Sequence, residues 1–252
     1  MRCFRSALPF VVALIVLLVS ALQLDAADKL KVVVITGGHG FDAKTFPEWF
    51  AGHDDLEITI TGGKKGDPKI FDNIENWPYD VMVLYNLRQK LNDTQKKNFL
   101  ALLERKVGLV VLHHAIAAYN EWWEYPKIMG ATYLLKAGER DGVKYARPTW
   151  KHGVDIKVHV EDKTHPITKG IEDFTVNDET YLGWTYHEGN HLLLTTDEKL
   201  NNKQLAWTRD YKGAKVFFFQ LGHAVHAYRD KNCKLIVARA IRWTAGKPVN
   251  PE

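Results

Sequence analysis

After Ser20 the sequence contains no serine, and its two cysteines stand at Cys3 and Cys233. A serine nucleophile is thereby excluded from the body of the chain. With Cys233 alone beyond residue 27, so are an internal disulfide and a cysteine-built metal cluster. Cys233 shares a helical face with Ile236, Val237, Ala240 and Ile241, so it is expected to be a buried small hydrophobe, not a nucleophile. Charge of one sign is also scarce. Lys and Arg number 34 against 30 Asp and Glu, and the basic residues fall in scattered pairs such as Lys64-Lys65 and Lys96-Lys97. No basic stripe marks a nucleic-acid surface, so no nucleic-acid partner is expected. Internal repeats, low-complexity tracts and Pro/Gly/Ser-rich linkers are missing, which favours one domain.

One long apolar run exists, Pro9 to Leu22. Arg2 and Arg5 precede it and Ala26-Ala27 follow it. A basic start, a short apolar core and small residues describe a secretory signal over residues 1–27. The run is shorter than the ~20 residues of a bilayer span. An exported protein, periplasmic or extracellular, is expected, with a domain over 28–252. Membrane association is expected only through an uncleaved signal. The sequence leaves the oligomeric state open.

From residue 31 the pattern alternates. Lys31–Thr36, Leu56–Thr61, Asp80–Tyr85 and Gly108–Leu112 read as strands, the third apolar from Val81 on and the fourth throughout, as strands buried on both faces are. A helical segment is expected around Lys44–Ala51. An amphipathic helix is expected over Thr94–Lys106, capped by Asn92 or Asp93. The second half is less regular. Val154–Val160 alternates strictly and predicts a half-exposed, antiparallel strand. Leu192–Thr196, Gln204–Thr208 and Lys215–Gln220 add strands, and Asn232–Thr244 closes the chain as a helix. The fold class is therefore α/β: a doubly wound, mostly parallel sheet with added antiparallel strands.

In such sheets ligands sit outside the carboxyl ends of the strands. Three predicted strands end in histidine there: His39 after Gly37-Gly38, the pair His113-His114, and His223 after Gly222, with His226 three residues on. His39, His113, His114 and His223 are expected to line one pocket. The glycines near His39 do not form G-x-G-x-x-G, so no nucleotide is expected. His53, His152, His159, His187 and His191 fall in predicted loops or on a polar strand face, where solvent exposure explains them. Asp178-Glu179 is the leading carboxylate candidate, although an ordinary acidic loop explains it too. Imidazoles with a carboxylate suit Zn²⁺, Mn²⁺ or Fe²⁺, and no H-E-x-x-H or CxxC spacing selects among them. Trp122-Trp123, Trp150 and Trp184 lie near candidate loops, and tryptophan faces stack on the C–H patches of sugar rings.

Several motifs occur in a shared order: Thr36-Gly37-Gly38-His39 with Phe41, Asp80 to Asn86, Leu112-His113-His114-Ala115, Gly130-Ala131, Asp162 to Ile167, Asp178-Glu179-Thr180-Tyr181, and Phe218 to His223. Together, from Val33 to Trp243, they resemble the ThuA-like (trehalose utilisation) family. That family is similar in fold to class I glutamine amidotransferases, a flavodoxin-like arrangement. Set against that superfamily, His113 or His114 falls near the nucleophile elbow and His223 near the catalytic histidine. The elbow cysteine is absent, so glutamine hydrolysis through a thiolate is not expected.

The resemblance implies a role in sugar catabolism on oxidised (3-keto) glycosides or disaccharides, with a small-molecule carbohydrate as partner. The expected catalytic residues are His114, Glu179 and His223. Substrate binding is expected from His39, Asp178, Tyr181 and Trp123. The candidate ligands of a divalent cation are His113, His114, His223 and His226. A lyase or a hydrolase fits this set. The alternative is a non-catalytic sugar-binding module on the same fold.

Overall fold

A computed structural model of the chain describes residues 29–63, 65–140 and 142–250. The expected signal over 1–27 lies outside the described residues. Thirteen strands are described: β1 (Leu30–Gly37), β2 (Leu56–Thr61), β3 (Val81–Asn86), β4 (Gly108–Leu112), β5 (Ala131–Thr132), β6 (Gly138–Arg140), β7 (Val143–Tyr145), β8 (Thr149–Val160), β9 (Phe174–Leu182), β10 (Thr185–Tyr186), β11 (His191–Thr195), β12 (Gln204–Tyr211) and β13 (Ala214–Phe219). The α-helices are α1 (Asp93–Glu104), α2 (Tyr125–Met129), α3 (Val225–Arg229) and α4 (Lys231–Thr244).

Nine strands form one sheet in the order β2-β1-β3-β4-β13-β12-β11-β8-β9. The first five run parallel, and each later strand is antiparallel to its neighbour. The parallel half has the flavodoxin-like 2-1-3-4-5 order, with β13 as its fifth strand.

Successive strand residues point to opposite faces, and here both faces are apolar. Val32, Val34, Val83, Val110, Leu112, Phe217 and Phe219 meet Cys233, Ile236, Val237, Ala240 and Ile241 of α4. Val33, Ile35, Met82, Leu84, Val111 and Phe218 meet Phe99, Leu102 and Leu103 of α1. Asn92 caps α1 in a capping box with Gln95: the Gln95 N–H donates to Asn92 Oδ1 and the Asn92 N–H to Gln95 Oε1, both at 2.9 Å. Asp230 caps α4.

Two departures from sequence expectation bear on the site. Residues 44–51 form only a short 3₁₀ turn, Phe46–Trp49, with Pro47 near its start. Phe46 and Trp49 are driven into the core, and that burial sets the geometry in place of a regular helix. The stretch holding Asp178-Glu179 is no loop: it lies within the nine-residue strand β9. Its partner β8 bulges between Lys151 and Val154, so that two residues, His152 and Gly153, face the one residue Glu179.

Candidate functional site

The carboxyl ends of β1, β3, β4 and β13 share one rim of the sheet, and β9 crosses it. Gln220, just after β13, donates from Nε2 to the Glu179 carbonyl at 2.7 Å. β4 leads directly into a 3₁₀ turn at His113, which adopts φ +52°. A non-glycine residue in that region at a strand-to-helix turn is strained, and the strain projects the side chain off the end of the sheet. Between the two adjacent histidines, His113 therefore occupies the elbow.

His113 is fully buried. Its Nδ1–H donates to the Gln220 carbonyl at 2.8 Å, which turns Nε2 toward Glu179, His223 and Tyr181. That atom lies 3.1 Å from Glu179 Oε2, 3.3 Å from His223 Nδ1 and 3.1 Å from the Tyr181 hydroxyl. Glu179 Oε2 is also 3.1 Å from His223 Nδ1. Despite both short distances, Glu179 Oε2 is buried without a hydrogen bond of acceptable angle among the described residues. Burial opposes ionisation of Glu179, but the two imidazoles outweigh it and hold the carboxyl well below the usual range. The same pairing with Glu179 raises His223 above its ordinary value against the effect of burial.

Three donor atoms, two imidazole nitrogens and one carboxylate oxygen, thus form a triangle with edges of 3.1–3.3 Å. Metal–ligand bonds of about 2.0–2.2 Å place neighbouring donors about 2.9–3.5 Å apart, from octahedral to tetrahedral geometry. The triangle fits that range, and the unsatisfied carboxylate oxygen is the atom a cation would satisfy. His113, Glu179 and His223 together can bind a divalent metal ion.

A second pair of imidazoles borders the triangle. The His39 and His114 rings lie 4.6 Å apart, and His39 is 6.0 Å from His223. His114 is buried, its Nε2–H donates to the Tyr85 carbonyl at 3.3 Å, and its Nδ1 has no partner among the described residues. Burial, with His113 and His39 nearby, lowers its pKa well below the ordinary value. Burial lowers His39 as well, and it raises the Tyr181 phenol, keeping it neutral. His39, His114, His152, Glu179, Tyr181, Tyr133 and Trp150 are among the side chains around a cleft of about 610 Å³. That volume suits a small saccharide.

Several expectations are corrected by this geometry. Asp178, expected to bind substrate, is buried and turned toward the backbone. Its carboxylate accepts from the N–H groups of Gly222 at 2.5 Å, His223 at 2.9 Å and Glu179 at 2.8 Å. Burial raises its pKa against the opposing pull of His113 and those donors. Asp178 positions the loop that carries His223. Trp123 does not line the cleft; its ring packs against the Arg140 guanidinium at 4.2 Å, and Trp150 is the tryptophan at the opening. His226 is exposed and outside the donor triangle, because α3 turns it toward solvent. His114 stands beside the triangle, its Nε2 committed to Tyr85.

His152 was not expected in the site at all. Its Nδ1 lies 3.4 Å from Glu179 Oε1 and its ring 4.5 Å from that of His223. The bulge that aims it is a tertiary feature; the neighbouring Gly153, at φ +67°, is its one trace in the sequence. Cys233 is fully buried in the core, where burial raises its thiol pKa well above the ordinary value, as a non-nucleophilic role requires.

Strand order and a ligand cleft at the carboxyl rim define a flavodoxin-like α/β protein. The ThuA family profile, described as trehalose utilisation, matches residues 31–244, and the chain belongs to that family. Membership places it among proteins of carbohydrate utilisation in the general sense. Solved structures agree in fold. A ThuA-like protein of Parabacteroides merdae superposes with a TM-score of 0.74 at 18% identity, covering 89% of this chain and 93% of that one. A ThuA-like protein of Bacteroides uniformis gives 0.66 at 20% identity, covering 89% and 96%. A cytoplasmic protein of Salmonella typhimurium gives 0.60 at 12% identity, covering 86% and 98%. Among curated protein sequences nothing matches this chain.

Proposed function

We propose that the protein is an exported, metal-dependent enzyme of carbohydrate catabolism that acts on oxidised (3-keto) glycosides or disaccharides by eliminating the glycosidic substituent. The observation that carries the proposal is the buried, hydrogen-bond-free oxygen of Glu179 between two imidazole nitrogens at the edge of a sugar-sized cleft. A divalent cation of the Zn²⁺, Mn²⁺ or Fe²⁺ kind, held by His113 Nε2, Glu179 Oε2 and His223 Nδ1, would supply Lewis acidity toward a carbonyl oxygen. Export rests on the sequence pattern of residues 1–27.

The remaining chemistry falls to the side chains. His114 has its tautomer set by the Tyr85 carbonyl, so Nδ1 presents a lone pair rather than a proton. It takes the proton from the carbon between the keto group and the anomeric carbon. The anomeric C–O bond then breaks, and the departing oxygen is protonated by water. Tyr181, neutral at physiological pH, offers its hydroxyl beside the triangle to the oxygen on which charge develops. Hydrolysis by a carboxylate pair is disfavoured, since Glu179 is the one carboxylate lining the cleft among the described residues.

The test is elemental analysis of the purified protein, then assays on 3-keto and unmodified disaccharides with and without chelator. Stoichiometric transition metal and chelator-sensitive turnover of the keto substrate are expected, both lost in Glu179→Gln. Absence of metal with equal inertness toward every substrate sinks the proposal. Sugar binding that survives His113→Ala with His223→Ala, without turnover by the unaltered protein, would instead establish a binding module.

A further inference from the structure

The cleft carries a charge imbalance that a neutral sugar does not use. Arg88, Lys136 and Arg147 line it, and none makes a side-chain hydrogen bond or ion pair among the described residues. Arg88 and Lys136 also line an adjoining cavity of about 480 Å³, so they stand where the two spaces meet. In that second space Lys90 and Glu121 neutralise each other at 2.9 Å, and Gln89 Nε2 donates to the Leu87 carbonyl at 3.1 Å. Arg88 is held at φ +55° two residues beyond β3, with its N–H bonded to the Ala117 carbonyl at 3.3 Å. Against these three cations the paired cavities set one further carboxylate, Glu179, and it already faces the imidazoles of His113, His152 and His223. A divalent ion at the triangle would neutralise that carboxylate and make the cleft more positive still. A concave, partly desolvated space lined by one sign of charge focuses its field on ligands of the other sign.

We propose that the cleft takes a saccharide bearing an oxyanion group, carboxylate or phosphate, seated on Arg88, Lys136 and Arg147. This rests on reading the cleft as a saccharide site. The sugar ring would lie over the imidazoles, with the anion at the junction of the two cavities. Guanidinium groups pair with both oxyanions in bidentate fashion, and Lys136 adds a point charge.

The test is equilibrium binding by calorimetry to the full chain, which needs no turnover. The probes are glucose, glucuronate, glucose 6-phosphate and inorganic phosphate. At low ionic strength at least one acidic sugar should bind about tenfold or more tightly than glucose, and salt should erode the difference. The combined R88Q, K136Q and R147Q variant should lose the preference for the acidic sugar over glucose; R147Q alone should lose part of it. All three positions are exposed, so the fold should persist. The stronger of the two acidic arms names the oxyanion.

Glucose binding as tightly as both acids would overturn the inference while leaving the saccharide reading intact. So would a preference undiminished in the triple variant, or inorganic phosphate alone matching the sugar phosphate. Failure of every sugar to bind would overturn both. Absence of metal or of turnover bears on the proposed reaction and leaves this measurement unaffected.

Discussion

Removing the Asp178 carboxylate should unfasten the loop that presents His223. In Asp178→Ala, the buried N–H of Gly222 and the part-buried N–H of His223 lose their acceptor, and the N–H of Glu179 loses its contact with the same group. A buried donor left without a partner costs about 1–3 kcal/mol. Two such donors give roughly 2–6 kcal/mol, a large share of a total stability of about 5–15 kcal/mol. Asp178→Asn should cost less, about 1–3 kcal/mol. Its amide oxygen can still accept from His223, but its NH₂ then faces the Gly222 N–H. Urea denaturation measures both. A second readout separates positioning from stability: a displaced partner of a metal-ligating side chain lowers metal affinity about 10–100-fold. Competition with a chelator should show that loss in the Asn variant, which still folds. An Ala variant with the wild-type urea midpoint would refute the reasoning outright. An Asn variant with wild-type metal affinity would confine Asp178 to stability.

Gly222 has φ +132°, and a Cβ there would lie 2.2 Å from Trp49 Cη2. Trp49 is fully buried against Phe46, Phe50 and Tyr228 and has nowhere to move. Gly222→Ala should therefore cost about 2–4 kcal/mol and lower the melting temperature, read by calorimetry; an unchanged melting curve contradicts it. Asp162 accepts from the Thr164 N–H and hydroxyl, the His165 N–H and His191, and its pKa is depressed, chiefly by Thr164. A depressed acid stabilises the fold above its unfolded pKa of about 4, and that contribution fades as pH falls through the folded value. Asp162→Ala should lose about 1 kcal/mol at neutral pH. The gap between the two urea midpoints should narrow below about pH 4, and a gap that widens there would contradict the assignment.

The sequence by itself determined the parallel half of the sheet and the identity of most of its chemistry. Strands such as Gly108–Leu112 are apolar at every position because both faces are covered, and that pattern is local. Histidines ending such strands were legible because a polar group at the end of a buried run needs a partner or a task.

Tertiary structure alone decided which of them meet. Glu179 joins His113 and His223 because β9, broken in its pattern by Asn177 and Asp178, lies across the rim of strands some forty and seventy residues away in the chain. His113 rather than His114 occupies the elbow because a backbone angle, which composition does not encode, turns the first ring outward. Asp178 became a scaffold, His152 a neighbour of the donors and His226 a surface residue for the same reason. A donor's role depends on distances of about 3 Å between remote segments, and those distances follow from packing rather than from residue order.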